Sequence, residues 1–213
     1  MGQSVQKVCR CVRQVNHVIA NNVNAPMLFD PFEGGAIICP DAKTKNRIDQ
    51  LKNFGFVDEV TVVAPGINGK MSEFNAALGL LQLKRIDHAL ARRREVGLLY
   101  LDMLKDIPGI RCVLEACNES TNYSYFPILV DESYSMSRDA LYQKLRTNDI
   151  WVRRYFYPLI SDFPMYRGLI SAHRENLPTA VAAANKVLCL PIYPELSNDS
   201  VKGIVNLIEN PEL

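Results

Sequence analysis

The feature that most restricts this chain is the run GINGKMSEFNAALGLLQL at residues 66–83, a glycine-bracketed segment that passes directly into an apolar helical pattern. Gly66, Asn68 and Gly69 are residue types that tolerate the left-handed backbone of sharp turns. Ser72 suits an N-cap, Glu73 falls in the first turn, and Phe74, Ala77, Leu78 and Leu81 follow at helical spacing. The pattern predicts a loop, a cap and a buried helix in that order. Backbone N–H groups at such a loop and helix start suit an anionic group, and Lys70 adds charge beside them. A capped core helix behind a solvated turn accounts for the same residues.

Apolar spacing continues through Ile86, Leu90, Leu98, Leu101 and Leu104 to Pro108-Gly109, which predicts one helix of about 50 Å at about 1.5 Å per residue. Within it lie Arg92, Arg93 and Arg94. Three consecutive helical residues point in different directions, so they read as a solvated or interface face rather than a phosphate site. The whole chain balances Lys+Arg 24 against Asp+Glu 23, a net charge of +1, and no field argues for nucleic acid or an acidic membrane.

The 213 residues are 48% hydrophobic, ample for a core. Six cysteines occur scattered and without a C-x-x-C pair, so no metal site is expected. With no signal-peptide pattern, the thiols read as reduced core residues; no apolar run approaches the roughly 20 residues that span a bilayer. Both point to a cytoplasmic protein without a membrane segment. His88 and His173 have no motif around them and read as surface or packing residues.

Before the opening motif, Val5, Val8, Val12, Val15 and Ile19 give residues 1–27 at most a marginal helix, broken by the run that ends at Pro26. Residues 36–39 predict a buried strand, Asp41 a cap, and the next helix runs to about Phe54 with Ile48 and Leu51 inward and Gly55 as its stop. After the central helix, strands are expected at 111–114, 123–130, 150–156 and 187–192. Helices are expected at 138–146 after Ser137, at 178–186 from Pro178, and to Ile208 with Asn198 as cap. This is an α+β unit.

Four stretches, in one order, resemble a known family: FEGGAI at 32–37, the 66–83 run, RRYFYPL at 153–159 and LPIYP at 190–194. They are similar to the C-terminal half of the DegT/DnrJ/StrS sugar aminotransferases, pyridoxal-phosphate enzymes acting on nucleotide-linked keto-sugars, over roughly residues 28–210. The resemblance implies an α/β fold of the aspartate-aminotransferase type (fold type I), truncated. It places a divergent lead-in at 1–27 and a remnant of the large parallel-sheet cofactor domain at 28–71. A long linking helix and the small C-terminal α+β domain occupy 72–213. It implies that Asn68 crosses a dimer interface to the cofactor phosphate of a neighbouring subunit, with Lys70 in a position usually basic. Arg154 and Tyr155 belong to the sugar-nucleotide side of the pocket, and RRYFYPL is nearest to transaminases of dTDP-linked 4-amino-4,6-dideoxyglucose type. The paired donors of arginine suit a diphosphate, and aromatic rings can stack on a base or sugar.

The same register has one large consequence. The position of the family's Schiff-base lysine, six before Glu33, holds Met27, and no lysine occurs between Lys7 and Lys43. Methionine can neither form the imine that holds the cofactor nor move a proton between substrate and cofactor. The family's acidic partner of the pyridine nitrogen and its ring-stacking aromatic belong to an N-terminal segment not present in these residues. Three readings follow: the family's amino transfer, a catalytically silent fragment, and an assembly module that pairs with a full-length homologue. Met27 favours the second for the chain itself. An incomplete first domain also predicts self-association or poor solubility for residues 1–60 unless a partner covers them.

Overall fold

The structure, a computed structural model, describes residues 37, 39–114, 122–155 and 157–212, and the chain divides into two compact units, Met1–Ala89 and Leu90–Leu213. The expectations for residues 1–27, Met27 included, lie outside the described residues.

In the first unit, helix α1 spans Ala42–Leu51 and starts where expected, the Asp41 carboxylate accepting the Thr44 N–H at 2.7 Å. That bond holds the Asp41 carboxyl below its ordinary pKa. The helix ends at Leu51 rather than near Phe54, because Phe54 and Gly55 adopt left-handed φ values of 58° and 86° and the Gly55 N–H turns back to the Gln50 carbonyl at 2.8 Å. Ile48 and Leu51 are half-buried, not core. Ile37 and Cys39 lie in no strand and Ile37 is exposed, contrary to the buried strand expected there: a strand needs a neighbouring ladder, and none meets them among the described residues.

Helix α2 spans Glu73–Leu83, with the Ser72 hydroxyl accepting the Asn75 N–H, and helix α3 spans Ile86–Leu104. The single long helix expected from apolar spacing is therefore two. At the break the N–H groups of Lys84 and Arg85 reach the carbonyls of Leu81 and Gln82, three residues back, so one turn is wound tightly and the four-residue ladder is interrupted without proline or glycine. Phe74 and Leu81 are exposed, and of α2 only Gly79 is buried.

The second unit, into which α3 runs, is built on an antiparallel sheet of order β1-β2-β3, with β1 at Ile110–Cys112, β2 at Phe126–Val130 and β3 at Val187–Leu190. Ile110 pairs with Val130, and Phe126 with Leu190. Helices α4 (Arg138–Thr147), α5 (Pro178–Lys186) and α6 (Asn198–Glu209) complete it, with three short 3-10 turns between α4 and α5. Burial along β2 alternates, and Phe126, Ile128 and Val130 meet Val96, Tyr100 and Leu104 of α3, Leu141 and Leu145 of α4, and Val201, Ile204 and Ile208 of α6 in one core. Each such side chain contributes about 1.5–3 kcal/mol by leaving water.

Proline in a central strand removes a ladder donor, yet Pro127 fits here for a local reason. Its partner Cys189 sends both its N–H and its carbonyl the other way, to Arg153, at 2.8 and 3.1 Å. Among the described residues that bridge is all that forms of the strand expected at 150–156, since only Arg153 meets β3 there and the chain turns at Tyr155. The arginine triplet is not one solvated face. Arg94 is exposed, but Arg93 is 5% exposed with Nη1 3.4 Å from the Tyr123 carbonyl, and Arg92 donates to the Leu196 carbonyl and to Asn198 Oδ1, both at 2.7 Å. The cap of α6 is Ser197, whose hydroxyl accepts the Ser200 N–H, with Asn198 already in the helix.

Candidate functional site

Asn68 and Lys70 lie on the segment between α1 and α2. It does not turn as glycine-rich sequence suggests: among the described residues only Phe54, Gly55, Gly109, Tyr123 and Asp149 have left-handed φ. The segment runs against the end of α1, with the N–H groups of Ile67 and Gly69 bound to the carbonyls of Leu51 and Lys52, each at 2.8 Å, and Asn68 bridging Asn53. Gly66 is required by contact, since a Cβ there would stand 2.3 Å from the Gly55 nitrogen and 2.6 Å from the Leu51 oxygen. Two of the amides that could have met an anion are therefore spent on the chain itself. Asn68 and Lys70 are exposed, and the Lys70 ammonium donates to Asn53 Oδ1 at 3.2 Å and sits 5.2 Å from the centre of the Phe54 ring.

Arg154 and Tyr155 lie in the second unit, directly after the Arg153–Cys189 bridge. The Tyr155 ring meets Tyr125 edge-on at 4.9 Å, and burial raises the Tyr155 phenol pKa. Arg154 is half-buried, its guanidinium carbon 4.3 Å from the centre of the Tyr142 ring and 5.4 Å from that of Tyr157. Its Nε stands 3.0 Å from Asp139 Oδ1, but the N–H is not directed at that oxygen, so the contact is ionic rather than a formed hydrogen bond. Asp139 also accepts the Nε–H of Arg138 at 2.9 Å. Arg138, Asp139 and Tyr142 carried no sequence signal beyond their place after the Ser137 cap. His88 and His173 are exposed, as surface histidines should be. Among the described residues no helix is long and apolar enough to cross a membrane, and no cluster of metal-ligating side chains occurs.

The described fold matches about half of the chain in solved aminotransferases of fold type I. DesI, solved in the presence of its TDP-sugar product, superposes with a TM-score of 0.75 at 31% identity, over 87% of this chain and 47% of DesI. The chain belongs to the DegT/DnrJ/EryC1/StrS aminotransferase family, which matches residues 27–209. It is 59% identical over 177 residues to the dTDP-4-amino-4,6-dideoxy-D-glucose transaminase of Escherichia coli, covering 83% of this chain and 48% of that enzyme. The enzyme of the same name from Shigella dysenteriae is 45% identical, over 87% of this chain and 50% of the relative. The chain thus spans about half the length of the curated relatives it matches.

Pyridoxal phosphate, the cofactor of this family, needs a lysine that can lose its proton and form an imine. Asn68 and Lys70 could meet its phosphate. Lys45 of α1 and Lys52 just after it are exposed and tied to Asp49, and the hydrogen bond that Lys45 donates to Asp49 raises its pKa, so neither is poised to form the imine. Residue 27, which the resemblance sets in the lysine register, lies outside the described residues.

Proposed function

We propose that this chain corresponds to the C-terminal half of a pyridoxal-phosphate-dependent aminotransferase of a nucleotide-linked keto-sugar, serving polysaccharide or lipopolysaccharide sugar synthesis. By itself it does not transfer the amino group. The observation that carries this reading is Met27, in the lysine register at the first residue of the family match. Residues 28–71 are then the remnant of the cofactor domain, and 72–213 the linking helices and small domain. Asn68 and Lys70 serve the cofactor phosphate of a partner subunit, in a dimer with an identical chain or a full-length homologue. Arg154 and Tyr155 serve the sugar nucleotide. The relatives' names support a dTDP-linked 4-amino-4,6-dideoxyglucose sugar, made in the cytoplasm.

The test is to incubate the purified chain with pyridoxal phosphate, reduce with borohydride and map modified peptides by mass. No stoichiometric lysine-linked cofactor is expected; such an adduct on one lysine would sink the reading of a silent half.

A second reading, assembly with a full-length homologue, is favoured by the apolar surface of the first unit, where Val60, Ile67, Phe74 and Leu80 are 84%, 70%, 72% and 61% exposed. Co-expression with a tagged homologue decides it: recovery of a stable heterodimer supports assembly, and separate elution of the two chains removes it.

A further inference from the structure

The groups around Arg154 form a chain of restraint that the reading above does not use. It begins at Arg138, which is 5% exposed and whose Nη1 donates to the carbonyls of Ala184 at 2.8 Å and Val187 at 3.0 Å. Arg138 cannot swing away without leaving two buried acceptors unpaired. Its Nε–H fixes Asp139 Oδ1, and the same oxygen stands against Arg154 Nε. Tyr142 follows Asp139 by three residues on α4, so the carboxylate and the ring share one helix face. The Arg154 guanidinium carbon lies 4.3 Å from the centre of that ring, and its Nε stands 3.0 Å from the carboxylate oxygen without donating to it.

What remains is the edge bearing the two terminal nitrogens. No hydrogen bond among the described residues occupies it. Two arginines against one carboxylate leave a net positive charge, and a guanidinium edge offers paired donors that match two oxygens of a phosphate. Asp139 is 57% exposed, so its ion pair with Arg154 adds little to folding stability. Orientation is the better account of it.

We propose that Asp139 and Tyr142 are positioning residues that hold Arg154 with its terminal nitrogens outward, as the group that binds the diphosphate of a nucleotide sugar. This rests on the reading that Arg154 faces the sugar nucleotide.

The experiment is calorimetric titration of the full chain with dTDP, inorganic pyrophosphate and thymidine at one fixed, low ionic strength. The diphosphates bind, thymidine does not, and Arg154→Ala abolishes dTDP binding. Asp139→Asn and Tyr142→Ala each raise the Kd for dTDP roughly tenfold, the scale of coupling between contacting residues, whereas Tyr142→Phe keeps the ring and the affinity. The unfolding midpoint of Asp139→Asn stays at that of the parent, which a merely structural residue would not show. If Arg154→Ala loses dTDP while Asp139→Asn and Tyr142→Ala bind as the parent does, the positioning role is overturned and the diphosphate reading stands. If the parent fails to bind dTDP, or Arg154→Ala binds it unchanged, both fall.

Discussion

The hydroxyl of Tyr134 donates to the carbonyl oxygen of Ile208, joining the loop after β2 to the last turn of α6. The end of a helix leaves carbonyls without partners, and here side chains supply them: Lys144 donates to the carbonyls of Leu207 at 2.8 Å and Asn210 at 2.6 Å. Tyr134 is 7% exposed, so water does not replace its bond. Tyr134→Phe is expected to cost about 1–2 kcal/mol in urea unfolding, from a buried acceptor left unpaired. A loss well below that would mean the α6 terminus satisfies itself another way.

Alkaline pH should loosen the sheet. Burial pushes the Cys189 thiol from 9.0 up to about 12, with nearby Arg153 acting weakly in the opposite sense. The unfolded thiol ionises near 9 and the folded one does not, so the stability this site confers is complete below pH 9 and is lost as pH rises toward 12. The loss is about 1.4 kcal/mol per pH unit over that window. Burial raises the phenols of Tyr100 and Tyr134 as well, which steepens the fall. Melting temperature followed from pH 7 to 11 checks this, and Cys189→Ala should flatten part of the slope. A flat profile in the parent would refute it.

Arg138 should be among the costliest polar positions to replace. Arg138→Met removes the donor to the Ala184 and Val187 carbonyls, at a cost of about 3 kcal/mol. The denaturant midpoint reports it, and Arg138→Lys should recover only part, because an ammonium lacks the rigid fork that reaches the carbonyls and Asp139 together.

How much of this was readable from sequence depended on distance along the chain. Asp41, Ser72 and Ser137 cap residues three positions on, at Thr44, Asn75 and Ala140, and a short motif holds both partners. Arg138 answers to carbonyls 46 and 49 residues away, so nothing beside it announced its burial. Arg93 was misread for the same reason, its Tyr123 contact lying 30 residues off. The break at Lys84-Arg85 has neither glycine nor proline to mark it. Of the strand expected at 150–156, the buried Val152 was correctly apolar, but a ladder needs a facing run and among the described residues only Arg153 found a partner.

The candidate site divides along the same line. Arg154 and Tyr155 were found through the RRYFYPL run, whereas Asp139 and Tyr142 lie on another element and meet Arg154 only in the fold. Gly66 shows a third outcome, the correct residue for another reason: it makes room for Gly55, Phe54 and Leu51 rather than a left-handed turn.

Glycines that look alike in sequence should therefore respond oppositely to alanine. Gly109 has φ +78°, and a Cβ there would stand 2.1 Å from the Tyr134 nitrogen, so Gly109→Ala forces the turn into β1 away from the segment that carries the Tyr134–Ile208 bond. Gly203 lies on the exposed side of α6 with ordinary helical backbone, and nothing within 4 Å would meet an added Cβ. Its only effect is to leave the unfolded chain extra freedom, so Gly203→Ala should stabilise by about 0.5–1 kcal/mol. Thermal unfolding of the two variants beside the parent reads both signs at once. A destabilised Gly203→Ala would mean that this face of α6 is covered in solution by something an added methyl disturbs.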